Sequence, residues 1–203
     1  MIDHNTPSIS LTLYKSDSHN YPAASLPEGY SFAFYRDGDE YQWAQIECSV
    51  GQFCSLEDGA DCFRREFLRD ERMKPHDHTL FVVDPDGNYV ATASLWNWTF
   101  LGEPCYRFHW LAVSDRCAGL GIAQALLSRV LDMFNERYGG GVLYLLASTR
   151  YYPAIHVYHK FGFVEYNGSR SLDPALSDEE FAARNAQALE LLAQKLDEFH
   201  ARK

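Results

Sequence analysis

The chain has 203 residues and a formal charge of −10, from 18 Lys and Arg against 28 Asp and Glu. Apolar residues make up 46% and charged residues 23%, ordinary globular usage that excludes a disordered, collagenous or coiled-coil chain. The acidic balance argues against a nucleic-acid binder, whose phosphate contacts need clustered Lys and Arg, and it favours cationic ligands such as amines. At this length roughly 70% of the unfolded surface is buried on folding, enough for one main core with an appendage. Five cysteines without a CxxC pair imply a reducing compartment, with neither a disulfide framework nor a zinc site. The opening MIDHNTPSIS lacks the basic-then-apolar pattern of a signal peptide, and no stretch approaches the roughly 18 apolar residues of a membrane span. No membrane association is expected, and the expected location is cytoplasmic.

In chain order, Ile9 to Tyr14 reads as a strand, followed by a polar stretch ending in Leu26-Pro27-Glu28-Gly29. Tyr30 to Tyr35 is a second strand, stopped by Arg36-Asp37-Gly38. Asp39, with Gln42 three residues on, predicts a capped short helix through Trp43 and Ile46. Ser55 predicts the cap of a second helix, with Leu56, Phe63 and Phe67 as its apolar stripe. From Thr79 the period changes: TLFVV, a DPDGN turn and YVATASLWNW form a hairpin, and Cys105 to Val113 is the next strand. Ile122, Ala125, Leu126, Val130, Met133 and Phe134 follow the helical period, interrupted by Arg129, until Gly139, Gly140 and Gly141 end the helix. Leu143 to Ala147 is an apolar run expected to be buried on both faces. A helix from Pro153 to Lys160, a strand after Phe163 and an acidic helix capped by Ser177 with Glu180 complete the chain. The last helix carries Phe181, Leu189, Leu192, Leu196 and Phe199 on one side, a stripe that would serve a homodimer.

The segment VSDRCAGLGIAQALL joins a strand to a helix with two glycines at the join. Such a join leaves backbone N–H groups unpaired at the positive end of a helix dipole, which suits a phosphate, although a glycine-softened turn has the same letters. A Walker loop is excluded because no Gly-Lys-Ser/Thr tripeptide occurs, and Gln124 stands where a dinucleotide fingerprint read from Gly119 needs a small residue. The segment instead resembles the acetyl-CoA loop of the GCN5-related N-acetyltransferases (GNAT), Gln/Arg-x-x-Gly-x-Gly/Ala. Two registers are possible. One uses Arg116, Gly119 and Gly121 but puts Gln124 and Ala125 where paired leucines are expected; the other uses Gly121 and Ala123 and places Leu126 and Leu127 correctly. The second is adopted, and it leaves Ala118 at the Gln/Arg position. YYPAIHVYHKFGF is similar to a second family motif, matched by Ala154, Tyr158, Lys160, Gly162 and Phe163, with Tyr151 where Asn is frequent. HWLAV, His109 to Val113, is similar to the strand entering the loop in the serotonin N-acetyltransferase branch.

The resemblance implies a mixed α/β fold, with a central, mostly antiparallel sheet flanked by helices and here an extra C-terminal helix. The family's last strand is not evident. Residues 30–166 would form the acetyltransferase domain, 1–29 an N-terminal extension with one strand, and 167–203 a linker and amphipathic helix. By the same resemblance, Leu111, Ala112 and Val113 hold the pantetheine arm of acetyl-CoA. A splay of their strand from that of Leu143 would free an N–H near Leu111 for the carbonyl oxygen. The amides of Gly119, Leu120, Gly121, Ile122 and Ala123 take the pyrophosphate, with Ala118, Tyr151, Ala154, Tyr158 and Lys160 completing the cofactor set.

Amide formation from a thioester requires a neutral amine, a stabilised oxyanion and a protonated leaving thiolate. Tyr158 is the implied acid. His109, near neutrality in unperturbed pKa, is the first choice of base, with Glu103 in the preceding loop or a water chain as alternatives. His76 and His78 around Asp77, and His156 with His159, offer two nitrogens each where a metal site wants three or four ligands, so all four read as surface histidines and no metal is expected. Cys117 near the helix start reads as inert packing. Trp43, Phe53, Phe63, Trp96 and Trp98 are core residues or the walls of an acceptor pocket. The expectation is an acetyl-CoA-dependent N-acyltransferase acting on an amine; the alternative is a CoA-binding regulatory domain weak in catalysis, in view of Ala118 and Tyr151.

Overall fold

The computed structural model describes residues 3–69, 74–173 and 175–201, so the outer ends of the expected 1–29 and 167–203 segments lie outside the described residues. Among the described residues, seven strands hydrogen-bond in the order β2-β3-β4-β5-β6-β1-β7: β1 Ser10–Lys15, β2 Ser31–Phe34, β3 Thr79–Val83, β4 Tyr89–Phe100, β5 Glu103–Val113, β6 Leu143–Ser148 and β7 Val164–Glu165. The sheet is mostly antiparallel, with β5 and β6 parallel, and helices flank it, as the resemblance implies. The described residues form two compact units: one runs to Tyr21 and takes in Trp98–Arg107 and the chain from Gly141; the other is Pro22–Asn97 with Phe108–Gly140.

In the first unit β1 pairs antiparallel with β6 along its whole length, from Ser10↔Ser148 to Lys15↔Leu143, and with β7 on its other edge at Leu13↔Glu165 and Tyr14↔Val164. Flanked on both edges, β1 buries Leu11 and Leu13, and Lys15 survives burial by donating from Nζ to the Asn20 carbonyl at 2.6 Å. The strand beside β6, unassigned from the sequence, therefore comes from the N-terminus. β6 departs from the expected burial on both faces: Leu143, Tyr144 and Leu145 are buried, but Leu146 is 58% exposed. Phe100 stacks on Tyr144 at 5.2 Å, covering that face two residues earlier.

α5 (Tyr152–Lys160) follows a 3-10 turn, Thr149–Tyr151. α6 (Asp178–His200) begins with the expected reciprocal box: the Ser177 hydroxyl accepts from the Glu180 N–H, and the Glu180 carboxylate accepts from the Ser177 N–H. Its apolar stripe does not face outward for a partner. It packs on α5 and β1, with Ala188 and Leu192 buried, Phe181 against Tyr166, and Phe199 against Tyr152 and His156.

In the second unit, α1 (Glu40–Ser49) and α2 (Leu56–Phe67) pack together, joined later by α3 (Pro75–His78) and α4 (Ile122–Tyr138). Ser55 caps α2 by accepting from the Asp58 N–H at 3.1 Å. Asp39 stands at the start of α1 but makes no helix cap; its carboxylate accepts instead from the Arg36 N–H at 2.9 Å, closing the preceding turn. The β3–β4 turn is held by Asp84 Oδ1, which accepts from the N–H groups of Asp86 and Asn88. Trp43, Phe63, Phe67, Leu80, Phe81 and Phe134 form the centre of this unit's core.

Candidate active site

The β4–β5 turn corrects one expected position. Leu101 and Gly102, both at positive φ (+55° and +87°), close a tight two-residue hairpin, so β5 begins at Glu103. Glu103 is therefore an exposed strand residue rather than a loop residue, and it belongs to the first unit, whereas His109 belongs to the second.

Within the second unit β5 carries Leu111, Ala112 and Val113, of which Ala112 is buried and the other two half-buried. The Ser114 N–H donates to the Val90 carbonyl at 2.8 Å, and a 3-10 turn, Asp115–Cys117, buries Cys117. Ala118, Gly119 and Leu120 are then exposed. Gly119 and Gly121 both take the left-handed backbone (φ +82° and +80°), and a Cβ on Gly119 would meet nothing within 4 Å. Gly121 is the cap of α4. The first helical bond runs from the Ala125 N–H to the Gly121 carbonyl, which leaves the N–H groups of Ile122, Ala123 and Gln124 without helical acceptors. α1, α2 and α6 each begin with carboxylates that neutralise such donors, but the first turn of α4 has none. Open backbone, N–H groups without helical acceptors and a first turn free of carboxylates fit a pyrophosphate, the polar part of acetyl-CoA. Arg116 points elsewhere: its Nη2 pairs with Asp84 Oδ2 at 3.3 Å, and it lines a polar cavity of about 530 Å³ with Gln42, Gln45 and Asn88. Leu126 and Leu127 are fully buried.

His109 is half-buried on β5, and one carboxylate oxygen serves it and its neighbour. Glu66 Oε2, on α2, lies 3.0 Å from His109 Nε2 and accepts from Trp110 Nε1 at 2.9 Å. Trp110 is at φ +50°, a conformation that breaks the two-residue alternation in mid-strand and costs on the order of 1–3 kcal/mol. Sequence reasoning missed Glu66. Its one signal was an acid three residues from Phe63 on the apolar side of α2. Phe53 stacks on Trp110 at 5.8 Å, Trp43 meets Trp110 at 5.1 Å, and Phe67 bridges Phe63, Trp96 and His109. Of the five predicted aromatics, four gather here; Trp98 is 56% exposed in the other unit, with the Arg107 guanidinium 4.9 Å over its ring.

Within the first unit, Tyr158 is buried on α5, its ring 6.0 Å from Phe163 and its carbonyl accepting from the N–H groups of Phe161 and Phe163. Tyr151 ends the 3-10 turn, Ala154 is half-buried, and Lys160 is exposed. Gly162 at φ +80° has Lys15 Nζ 2.9 Å from where a Cβ would stand, a physical reason for glycine in that motif. His159 Nε2 lies 2.7 Å from Glu165, a bond that holds the Glu165 carboxyl below its ordinary range, and His156 Nδ1 lies 2.9 Å from His200. His76 is exposed beside Asp37, but His78 is not a surface residue. It is buried between the Lys74 carbonyl and the Tyr138 hydroxyl, and burial pushes its pKa down. Among the described residues no three His, Cys, Asp or Glu are gathered to hold a metal ion, all five cysteines are free thiols, and no helix is long and apolar enough to cross a membrane.

Compared with known proteins, residues 20–163 match the family described as Acetyltransferase (GNAT) family. The chain is similar in fold to a GCN5-related N-acetyltransferase from Sphaerobacter thermophilus (TM-score 0.59, 21% identity, covering 78% of this chain and 49% of that one). It is also similar to a tandem GNAT protein from the clavulanic acid biosynthesis pathway (TM-score 0.58, 16% identity, 81% and 52%). A third similar structure is a GNAT-family acetyltransferase from Colwellia psychrerythraea (TM-score 0.59, 11% identity, 78% and 53%). The chain thus spans about half the length of these solved structures. No curated protein matches it.

Proposed function

The chain belongs to the GNAT acetyltransferase family, and from that premise we propose that it transfers an acetyl (acyl) group from acetyl-CoA directly to a primary amine of a small molecule or peptide. The observation that carries the reading is the start of α4, where two left-handed glycines and a carboxylate-free first turn leave backbone donors for a pyrophosphate. Acetyl-CoA supplies the activated acyl thioester. In this reading the backbone of Leu111, Ala112 and Val113 binds the pantetheine arm, and the amides from Gly119 through Leu120, Gly121 and Ile122 to Ala123 bind the phosphates. Ala118, Tyr151, Ala154 and Lys160 are the further cofactor-binding residues of this reading. The ion pair of Arg116 with Asp84 and the burial of Leu126 and Leu127 support the register that leaves Ala118 at the Gln/Arg position.

His109 removes a proton from the acceptor ammonium, with Glu103 as the second choice, and Tyr158 gives its hydroxyl proton to the departing sulfur. The acidic chain, at −10, favours a cationic acceptor. Residues 30–166 are the catalytic domain of this proposal, with β1 and α6 as additions. The free thiols accord with a cytoplasmic enzyme, and a homodimer remains part of the proposal without the α6 stripe as its basis.

Tyr158→Phe tests the chemistry. Positioned acids contribute about 10²–10⁴-fold, so single-turnover transfer falls by that factor while the acetyl-CoA Kd and the Tm hold, because the ring is kept. Transfer within about twofold of wild type, worth under 0.5 kcal/mol, removes Tyr158 as the acid. Tight acetyl-CoA binding without transfer by the wild type, across polyamines, amino acids, aminoglycosides and peptides, would favour the regulatory CoA-binding domain that Ala118 brings to mind.

A further inference from the structure

We propose that Glu66 is a positioning residue for His109: it holds the imidazole in the Nε2–H tautomer and keeps the ring basic, while the same oxygen pins Trp110 in its left-handed conformation. The inference rests on the reading of His109 as base. As a carboxylate Glu66 only accepts hydrogen bonds, so with Oε2 3.0 Å from Nε2 the ring nitrogen there must donate. A neutral imidazole carries one donor and one lone pair, and Nδ1 is then the proton-accepting atom. The second bond, from Trp110 Nε1 at 2.9 Å, fixes the backbone next to His109, since Trp110 is held from its ring while its φ of +50° would otherwise relax. Phe53 stacks on Trp110 and Phe67 lies against His109, so both rings are packed as well as bonded.

A nearby negative charge stabilises the imidazolium, which raises the pKa of the base. Beside Glu66 on the same helix stands Cys62, whose thiol lies 3.7 Å from Oε1. Burial pushes that thiol up to about 11, so it stays protonated and adds no charge. Arg65, on the same helix, acts electrostatically on Cys62 and is a cation that stays in place in every variant below.

The test compares wild type, Glu66→Gln, Glu66→Asp and His109→Gln by NMR titration of the histidine rings and by the pH dependence of kcat/KM. His109→Gln identifies the His109 resonances. Glu66→Gln keeps the shape but removes the charge, so the His109 pKa falls by about one unit, the acidic limb of kcat/KM moves down with it, and the plateau drops about tenfold or more. Glu66→Asp restores part of both shifts. An unchanged His109 titration in Glu66→Gln overturns the proposal, even if the variant is slow or less stable, since that is what a purely structural brace would give. A His109 pKa that falls while the acidic limb stays fixed upholds the coupling to Glu66 and sinks the reading of His109 as base, so the two failures are distinguishable.

Discussion

Glu47 lies on the buried side of α1 with 1% of its surface exposed, and among the described residues its Oε1 meets no hydrogen-bond partner. Trp43, four residues earlier on the same face, buries an indole N–H that is likewise unpaired. Burial disfavours the ionised carboxyl and pushes the Glu47 pKa up to about 8, well above its ordinary value of 4.5. The sign follows from proton counting: between pH 4.5 and about 8 the unfolded chain has released this proton and the folded chain keeps it, so stability falls as pH rises through that window and levels off above it. A shift of this size is worth on the order of 5 kcal/mol. Glu47→Gln, a neutral isostere, should therefore gain little at pH 5 and several kcal/mol at pH 8.5, read from urea midpoints at the two values. An equal difference at both would mean that Glu47 does not titrate in this window.

At the scale of elements, what was legible in the sequence was local. Ser55 and Ser177 cap the helices they precede because a hydroxyl reaches an N–H within its own turn, and the β3–β4 turn is held by bonds within DPDGN. Asp39 has the same credentials as Ser55, yet its carboxylate closes the turn behind it, a choice that spacing alone does not decide. The α6 stripe was legible as apolar but not as to what covers it, because its partners are Tyr152 and His156 on α5 and Tyr166 near β7. That cover makes a prediction. Leu192, 2% exposed, should cost about 2–5 kcal/mol when cut to Ala, lowering the urea midpoint, with no change in elution on size exclusion. A stable variant with altered elution would return the stripe to an interface between copies.

At the scale of the whole molecule, the candidate site was readable where the chain runs continuously through it and opaque where it does not. The glycines at 119 and 121 and the motif around Tyr158 are contiguous text, whereas Glu66 reaches His109 across 43 residues of sequence. The same contrast applies to the sheet. The family match begins at residue 20, but β1, before that point, is the strand that joins β6 to β7. Removing residues 1–16 would unpair one edge of β6 and leave β7 without a partner strand. It would also strip out Leu11 and Leu13, each worth roughly 1.5–3 kcal/mol of burial, and the bond from Arg150 Nε to the Thr6 carbonyl just before α5. Against a total stability of about 5–15 kcal/mol for a natural domain, these losses together are enough to unfold the first unit. The truncated chain should therefore lose hydrogen-exchange protection from Leu143 to Ser148 and lose transfer activity, since only the 3-10 turn Thr149–Tyr151 separates α5, with Tyr158, from β6. A chain beginning at residue 17 that melts at the wild-type temperature, with the β6 amides still protected, would show β1 to be an accessory strand, and the sheet would then have to hold its C-terminal half by α5 and α6 alone.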